Sequence, residues 1–302
     1  MDARRLFPWL VRLCWVILPF TVGPALGAAL HPYSGPVRVT AAVLAWGVWA
    51  AVFVGTLVPY PIGLTALRAA APGAAVVAVI AALTGRPSAL DAALAVASSL
   101  LALVIAFTPA TGVLYVNGPA YPNERRYPLR PPGPILLGPL ELVWAVTVGA
   151  PVIGILLLAG GAWVAGGVVL GLGSPAAYVL SQALHRLSRR WLVFVPAGLV
   201  IHDPLTLAQP VLFQRRDIES LGPAPADSTA VDLTMNAPGL ALEVVLGDEA
   251  ELQLVQRGHA QAGTVSAGRV LITPTRPGQV LKEAAGRRLP VNRDLQPPAR
   301  PG

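Results

Sequence analysis

Before residue 185 the chain runs apolar six times for about the thickness of a bilayer, at residues 13–30, 39–58, 69–83, 90–107, 142–159 and 162–184. A helix needs about 20 mostly apolar residues, within a range of roughly 17–25, to cross a ~30 Å hydrocarbon core. The third run is short and contains Pro72. Losing it together with the fourth would leave four spans of the same parity, the alternative to six. Pro19 and Pro24 are expected to bend the first span and Gly160 and Gly161 to turn the chain between the last two, while the sixth is rich in Gly with Ser174 and Pro175 in its middle.

Composition agrees. Hydrophobic residues make up 54% and charged residues 12%, against roughly 25% charged in an ordinary soluble domain. Of 15 carboxylates, only Asp2, Asp91, Glu124 and Glu141 precede residue 185. That shift sets an expected boundary: a membrane domain over 1–188, a polar domain over 189–288 and a disordered tail over 289–302. After residue 184, 13 Lys+Arg against 11 Asp+Glu leave only +2 of the net +7. The basic balance therefore reflects topology, and no nucleic-acid partner is expected. Cys14 is alone, which excludes an intrachain disulfide framework. No cleavable signal peptide is expected, because the first apolar run is long and others follow.

The placement of arginine orients the spans. With the N-terminus inside, inner segments carry Arg4, Arg5, Arg68, Arg125, Arg126, Arg130, Arg186, Arg189 and Arg190, and outer loops carry Arg38 and Arg86. An excess of cytoplasmic Lys and Arg is the usual bias. Both termini are thus expected in the cytoplasm of a multi-pass cell-membrane protein.

The inner segment Thr108–Pro134 alternates Tyr115, Tyr121 and Tyr127 with Pro, Gly and Arg. It reads as an interfacial anchor of aromatic and basic side chains. The competing reading is a docking point for the C-terminal domain, or an anionic-lipid contact through Arg125, Arg126 and Arg130. Glu141 is the candidate intramembrane polar residue, since a carboxylate in a span points to function by default. A place in the first turns of its helix accounts for it equally. Gly167 and Gly171 form a small-xxx-small pair, expected to pack within the chain.

After the Arg186–Arg190 cluster, "LVFVPAGLVI" is too short to span and has turn residues at its centre. It reads as a β-hairpin, Trp191–Val195 with Leu199–His202. Short strands are expected at 211–213, 231–235, 240–246, 252–255 and 270–272, from their period-two alternation. Turns are expected at Asn236–Gly239 and Leu246–Ala250, and a closing helix after Pro277.

The stretches "RRWLVFVPAGLVIHDP", "VLFQRRDIESL" and "VLITPTRPGQVLKEA" resemble a bacterial pleckstrin-homology-like (PH-like) domain. The whole arrangement is similar to a group of uncharacterised actinobacterial multi-pass membrane proteins, through "NERRYPLRPPGPILLGPLELVW" and "LSRRWLVFVPAGLVIHDP". The resemblance implies a membrane all-α bundle of about six helices, followed by a small mainly-β barrel with a C-terminal helix. It also implies peptide or lipid binding.

No phosphate-binding loop, zinc-protease motif or nucleophile elbow occurs, and His31, His185, His202 and His259 lack metal-site spacing. No cofactor and no enzyme activity are expected; His202-Asp203 reads as capping or turn formation. The expectation is an anchor presenting a PH-like domain. Arg186, Arg189, Arg190, Arg215 and Arg216 would then face anionic headgroups or a membrane-protein partner. The alternative is a transporter or channel component, with helices broken at Pro151 or Pro175.

Overall fold

The computed structural model describes residues 3–255 and 263–292. The chain divides into two compact units, and each takes two stretches of sequence. The first comprises residues up to Gly118 and Leu140–Ser188; the second comprises Pro119–Pro139 and the residues from Arg189 onward.

The first unit is helical: α1 (Ala3–Val16), α2 (Leu18–Leu30), α3 (Gly35–Leu57), α4 (Pro61–Thr84), α5 (Ala89–Phe107), α6 (Pro109–Asn117), α7 (Pro139–Ala159) and α8 (Trp163–Ser188). Six stretches are long and apolar enough to cross a membrane, α1 and α2 together supplying the first, Leu6–Leu30. The third is the 24-residue Pro61–Thr84, which runs through Pro72 without a break. Six helical stretches long and apolar enough to cross, not four, occur among the described residues, which is consistent with a multi-pass membrane protein.

The break between α1 and α2 follows from Pro19. A proline donates no N–H, so it leaves the carbonyl four residues back without its helical partner; here that is Trp15. The Trp49 indole of α3 donates to the Trp15 carbonyl at 3.0 Å, and the Trp15 indole donates to the Trp49 carbonyl at 3.0 Å. Around this pair the core is alanine-rich, with Ala25, Ala71, Ala78, Ala95 and Ala106 fully buried. Small side chains let helices approach closely where no water drives them together.

Two arginines finish helix ends in this unit. Arg12 donates to the carbonyls of Thr56 and Leu57 at the end of α3, and Arg68 donates to Ala106 at the end of α5. The last carbonyls of a helix lack internal donors and carry partial negative charge, so guanidinium is well placed there. At the start of α5, Ser88 and Asp91 form a reciprocal cap: the Ser88 hydroxyl accepts from the Asp91 N–H and donates to its carboxylate.

The close approach of α7 and α8 uses other glycines than the expected pair. A Cβ at Gly154, Gly166 or Gly173 would fall within 3 Å of Leu170, Leu158 or Ala150, whereas at Gly167 and Gly171 it would meet nothing. Gly167 and Gly171 therefore face away from their own chain.

The second unit is a mixed helix and sheet structure: β1 (Arg125–Pro128), β2 (Trp191–Val195), β3 (Gly198–His202), β4 (Val211–Gln214), β5 (Ile218–Pro223), β6 (Val231–Asp232), β7 (Leu242–Gln253), β8 (Thr264–Ile272) and α9 (Pro277–Gly286). One sheet has the order β1-β2-β3-β4, the other β5-β7-β8-β6. The first is an antiparallel meander whose opening strand comes from the segment between α6 and α7, in register Arg126↔Val193 and Pro128↔Trp191. The β2–β3 hairpin turns at Pro196-Ala197, with Val195 opposite Gly198. Any Cβ at Gly198 would fall 2.0 Å from the Phe213 carbonyl oxygen, so β4 can lie there only against glycine.

The sheets are stitched at two corners and do not close into a barrel. Leu129 bridges Pro274, beyond the end of β8, and Leu207 bridges Leu254, beyond the end of β7. A single core joins them, with Tyr127, Leu192, Phe194, Leu199, Leu221, Val244, Val270 and Val280 among its members. Val280 and Ala284 of α9 are fully buried in it.

Several expectations change. Leu246–Ala250 is no hairpin turn: β7 runs through it, and the slack goes into a register shift between Val245 and Ala250. The segment Thr108–Pro134 is not one interfacial anchor, since α6 buries Tyr115 in the first unit and β1 buries Tyr127 in the second. Tyr121 alone of the three tyrosines is exposed. Leu289 lies in the core and Val291 bridges Leu221, so these residues do not belong to the expected tail, whose remainder, residues 293–302, lies outside the described residues.

Candidate functional site

Strand alternation places Leu192 and Phe194 of β2, and Leu199 and Ile201 of β3, in the core. The opposite parity puts Trp191, Val193 and Val195, paired in register with His202, Val200 and Gly198, on the outer face. In an antiparallel sheet with one face on the core, the other is ordinarily polar. Here it is valine and tryptophan, and Trp191 and Val193 are only 9% and 7% exposed. These side chains, with Val200, His202, Glu124, Arg126 and Pro210, line a groove of about 270 Å³.

The groove has an apolar floor and a polar rim. His202 stacks on Trp191 with ring centroids 4.9 Å apart and planes 21° apart. The Arg126 guanidinium lies 5.7 Å from the Trp191 ring and pairs with Glu124 at 3.0 Å. The His202 Nε2 atom is shielded from solvent and has no hydrogen-bond partner. Burial holds the imidazole below its ordinary pKa; Arg189 pushes the same way, Asp203 opposes, and Arg126 adds to the lowering. A neutral imidazole, one ion pair and a valine floor make a surface suited to binding.

Directly beside it lies the most buried charge pair of the second unit. Arg190 and Asp203 are each 1% exposed. Arg190 Nε and Nη2 donate to Asp203 Oδ1 and Oδ2 at 2.8 and 2.7 Å, a two-pronged pairing. Arg190 Nη1 donates to the Arg130 carbonyl at 2.7 Å, and Nη2 reaches Leu233 O at 3.4 Å. Asp203 also accepts from the Leu205 N–H, the turn expected at His202-Asp203. One guanidinium thus ties the segment after β1 to β3 and to the end of β6.

The arginines offered by the sequence therefore separate. Arg190 is interior and is withdrawn as a headgroup contact, because both its charge and its donors are spent on Asp203 and carbonyls. Arg126 lies in the groove wall, while Arg125 and Arg130 are half-buried. Arg130 packs against Gly239, where a Cβ would fall 2.8 Å from its Cζ. Arg186, Arg189, Arg215 and Arg216 are exposed, and Arg216 pairs with Asp217 at 3.3 Å. Glu141 is exposed in the first turn of α7.

Sequence reasoning missed Trp191 and His202 as one site and Asp203 as the partner of Arg190. The signal was present in "WLVFV", apolar at every position where a one-faced strand alternates. Among the described residues, no three His, Cys, Asp or Glu side chains gather as metal ligands. No family model, curated protein or solved structure matches this chain.

Proposed function

We propose that this protein is a membrane anchor whose second unit is a PH-like module offered, at the cytoplasmic face, to a protein or lipid partner. The observation that carries the reading is the layout of that unit. A four-stranded meander is followed by a second sheet built on β5, β7 and β8, and a C-terminal helix buries Val280 and Ala284 in the shared core. A meander, a second sheet and a closing helix in that succession support the PH-like reading, with the first strand lent by the segment ahead of α7. The exposed arginines Arg186, Arg189, Arg215 and Arg216 would add attraction to acidic headgroups or an acidic partner.

The rival, a transporter, asks for polar groups free to meet a solute near mid-membrane. The buried Thr21, Thr56, Ser99 and Thr111 hydroxyls instead donate to main-chain carbonyls, which favours the anchor. Cross-linking the full chain in its native membrane tests the reading against a Phe194→Asp variant, whose second-unit core is broken. A partner or lipid enriched by the native chain and lost with the variant is expected. Identical recovery from both chains would overturn the proposal.

A further inference from the structure

We propose that Arg130, Thr273 and Thr275 form a binding site for a phosphate group, where the chain leaving β1 meets the chain leaving β8.

Register brings the three side chains together. Leu129 bridges Pro274 in antiparallel sense, the Arg130 N–H donates to the Thr273 carbonyl at 2.8 Å, and the Thr275 N–H donates to the Pro128 carbonyl at 2.9 Å. Arg130 therefore stands opposite Thr273, with Thr275 on the diagonal. In an antiparallel pair, opposed side chains share a face with Cβ atoms about 4.5–5.5 Å apart, and diagonal neighbours lie about 7–8 Å apart. Leu129 belongs to the core, so alternation puts these three residues on the other face.

All three carry a polar atom that is shielded from solvent and has no hydrogen-bond partner: Arg130 Nε, Thr273 Oγ1 and Thr275 Oγ1. Thr273 as a whole is only 2% exposed. A buried donor left unmet keeps its full desolvation cost, and an acceptor placed among the three would remove it.

Charge and donor count select the occupant. Among the described residues no carboxylate is paired with Arg130, and the nearby Asp203 is committed to Arg190. A guanidinium has donors only, and a threonine hydroxyl can turn its hydrogen toward an acceptor. Water would satisfy the hydroxyls and leave the positive charge unmatched. A planar carboxylate presents two oxygens, whereas a tetrahedral oxyanion can present one to each of the three donors. Guanidinium pairs with phosphate through short, charge-assisted hydrogen bonds.

The turn after β6 holds the arginine in place. Met235 and Asn236 both take positive φ, 56° and 55°, and the Ala237 N–H donates to the Thr234 carbonyl. The turn delivers Gly239, with φ 113°, onto the guanidinium, where a Cβ would fall 2.8 Å from Arg130 Cζ. Arg130 is thus packed in position before anything binds, which lowers the ordering cost of binding. Every residue of the site belongs to the second unit, so the inference depends neither on the anchor reading nor on the membrane.

Equilibrium dialysis of radiolabelled inorganic phosphate against the full chain in detergent micelles, at constant ionic strength set with chloride, reads the site. One saturable site is expected, displaced by sulfate and not by acetate. Arg130→Gln and Thr273→Val should each weaken binding by at least about tenfold, the loss expected for one hydrogen bond to a charged group. Arg189→Gln, at an exposed arginine, should bind as the native chain does. Without phosphate, Thr273→Val should melt no lower than the native chain, because a methyl group replaces an unpaired hydroxyl. Phosphate should then raise the native midpoint more than that of the variant. This comparison carries the test if Arg130→Gln fails to fold. The same titration with dihexanoyl phosphatidic acid identifies the source. Tighter binding than inorganic phosphate assigns the site to a phosphate ester such as a lipid headgroup, weaker binding to the free ion, and both support it. Overturning results are no saturable uptake of either probe, displacement by acetate as readily as by sulfate, or native affinity in both Arg130→Gln and Thr273→Val.

Discussion

Arg190 stands two positions past the end of α8, and its neighbours Arg186 and Arg189 are exposed while it is buried. Nothing in a run of arginines announces which one turns inward; the choice is made by Asp203, thirteen residues on. Removing one partner of a buried pair leaves the other charge unpaired, which costs about 3–5 kcal/mol, whereas replacing both by apolar groups is often close to neutral. Arg190→Met is accordingly expected to destabilise the chain by about 3–5 kcal/mol. The double variant Arg190→Met/Asp203→Leu should recover most of that loss. Denaturant unfolding in detergent micelles, followed by tryptophan fluorescence, checks the order; a double variant as weak as the single would contradict the pairing.

At the level of elements, legibility tracked local periodicity. The hairpin of β2 and β3, the short β4 and the closing α9 all stood out, because each carries its pattern within a few consecutive residues. The long β7 was read as two strands, since Gly247-Asp248-Glu249 resembles a turn when its partner strand is out of view. The strand β1 was hidden altogether: "RRYP" is four residues with a proline and two charges, and only pairing with β2 makes it a strand. The groove went unseen for the same reason, because it needs β1, β2 and β3 side by side. Glycine position was equally unreadable. Gly154→Leu is expected to disrupt the α7–α8 contact and lower the unfolding midpoint, because its Cβ would already fall 2.6 Å from Leu170. Gly167→Leu should leave the midpoint of the isolated protein in detergent unchanged, as its Cβ meets nothing. Equal effects at the two positions would refute the assignment of faces.

For the molecule as a whole, the sequence expectation of inward termini becomes an experiment in labelling. Tyr33, exposed between α2 and α3, and Arg216, exposed after β4, are separated in that topology by the bilayer. In a Cys14→Ser background, Tyr33→Cys should react with an impermeant maleimide on intact cells, and Arg216→Cys only after permeabilisation. The reverse pattern would invert the protein and move its β unit to the outside.

The lending of β1 has a further consequence, in the order of assembly. Residues 129–190, 62 in all, separate Pro128 from its partner Trp191, and they include both α7 and α8. At ~5–20 residues per second, roughly 3–12 s pass between synthesis of the two strands. During that interval β1 has no partner, and its sheet can begin only after the last two helices have left the ribosome. Completion of the β unit therefore reports that the final helical pair has been made. A chain stopped within α8 would carry a strand with nothing to pair, and residues from 189 onward made alone would lack their first strand.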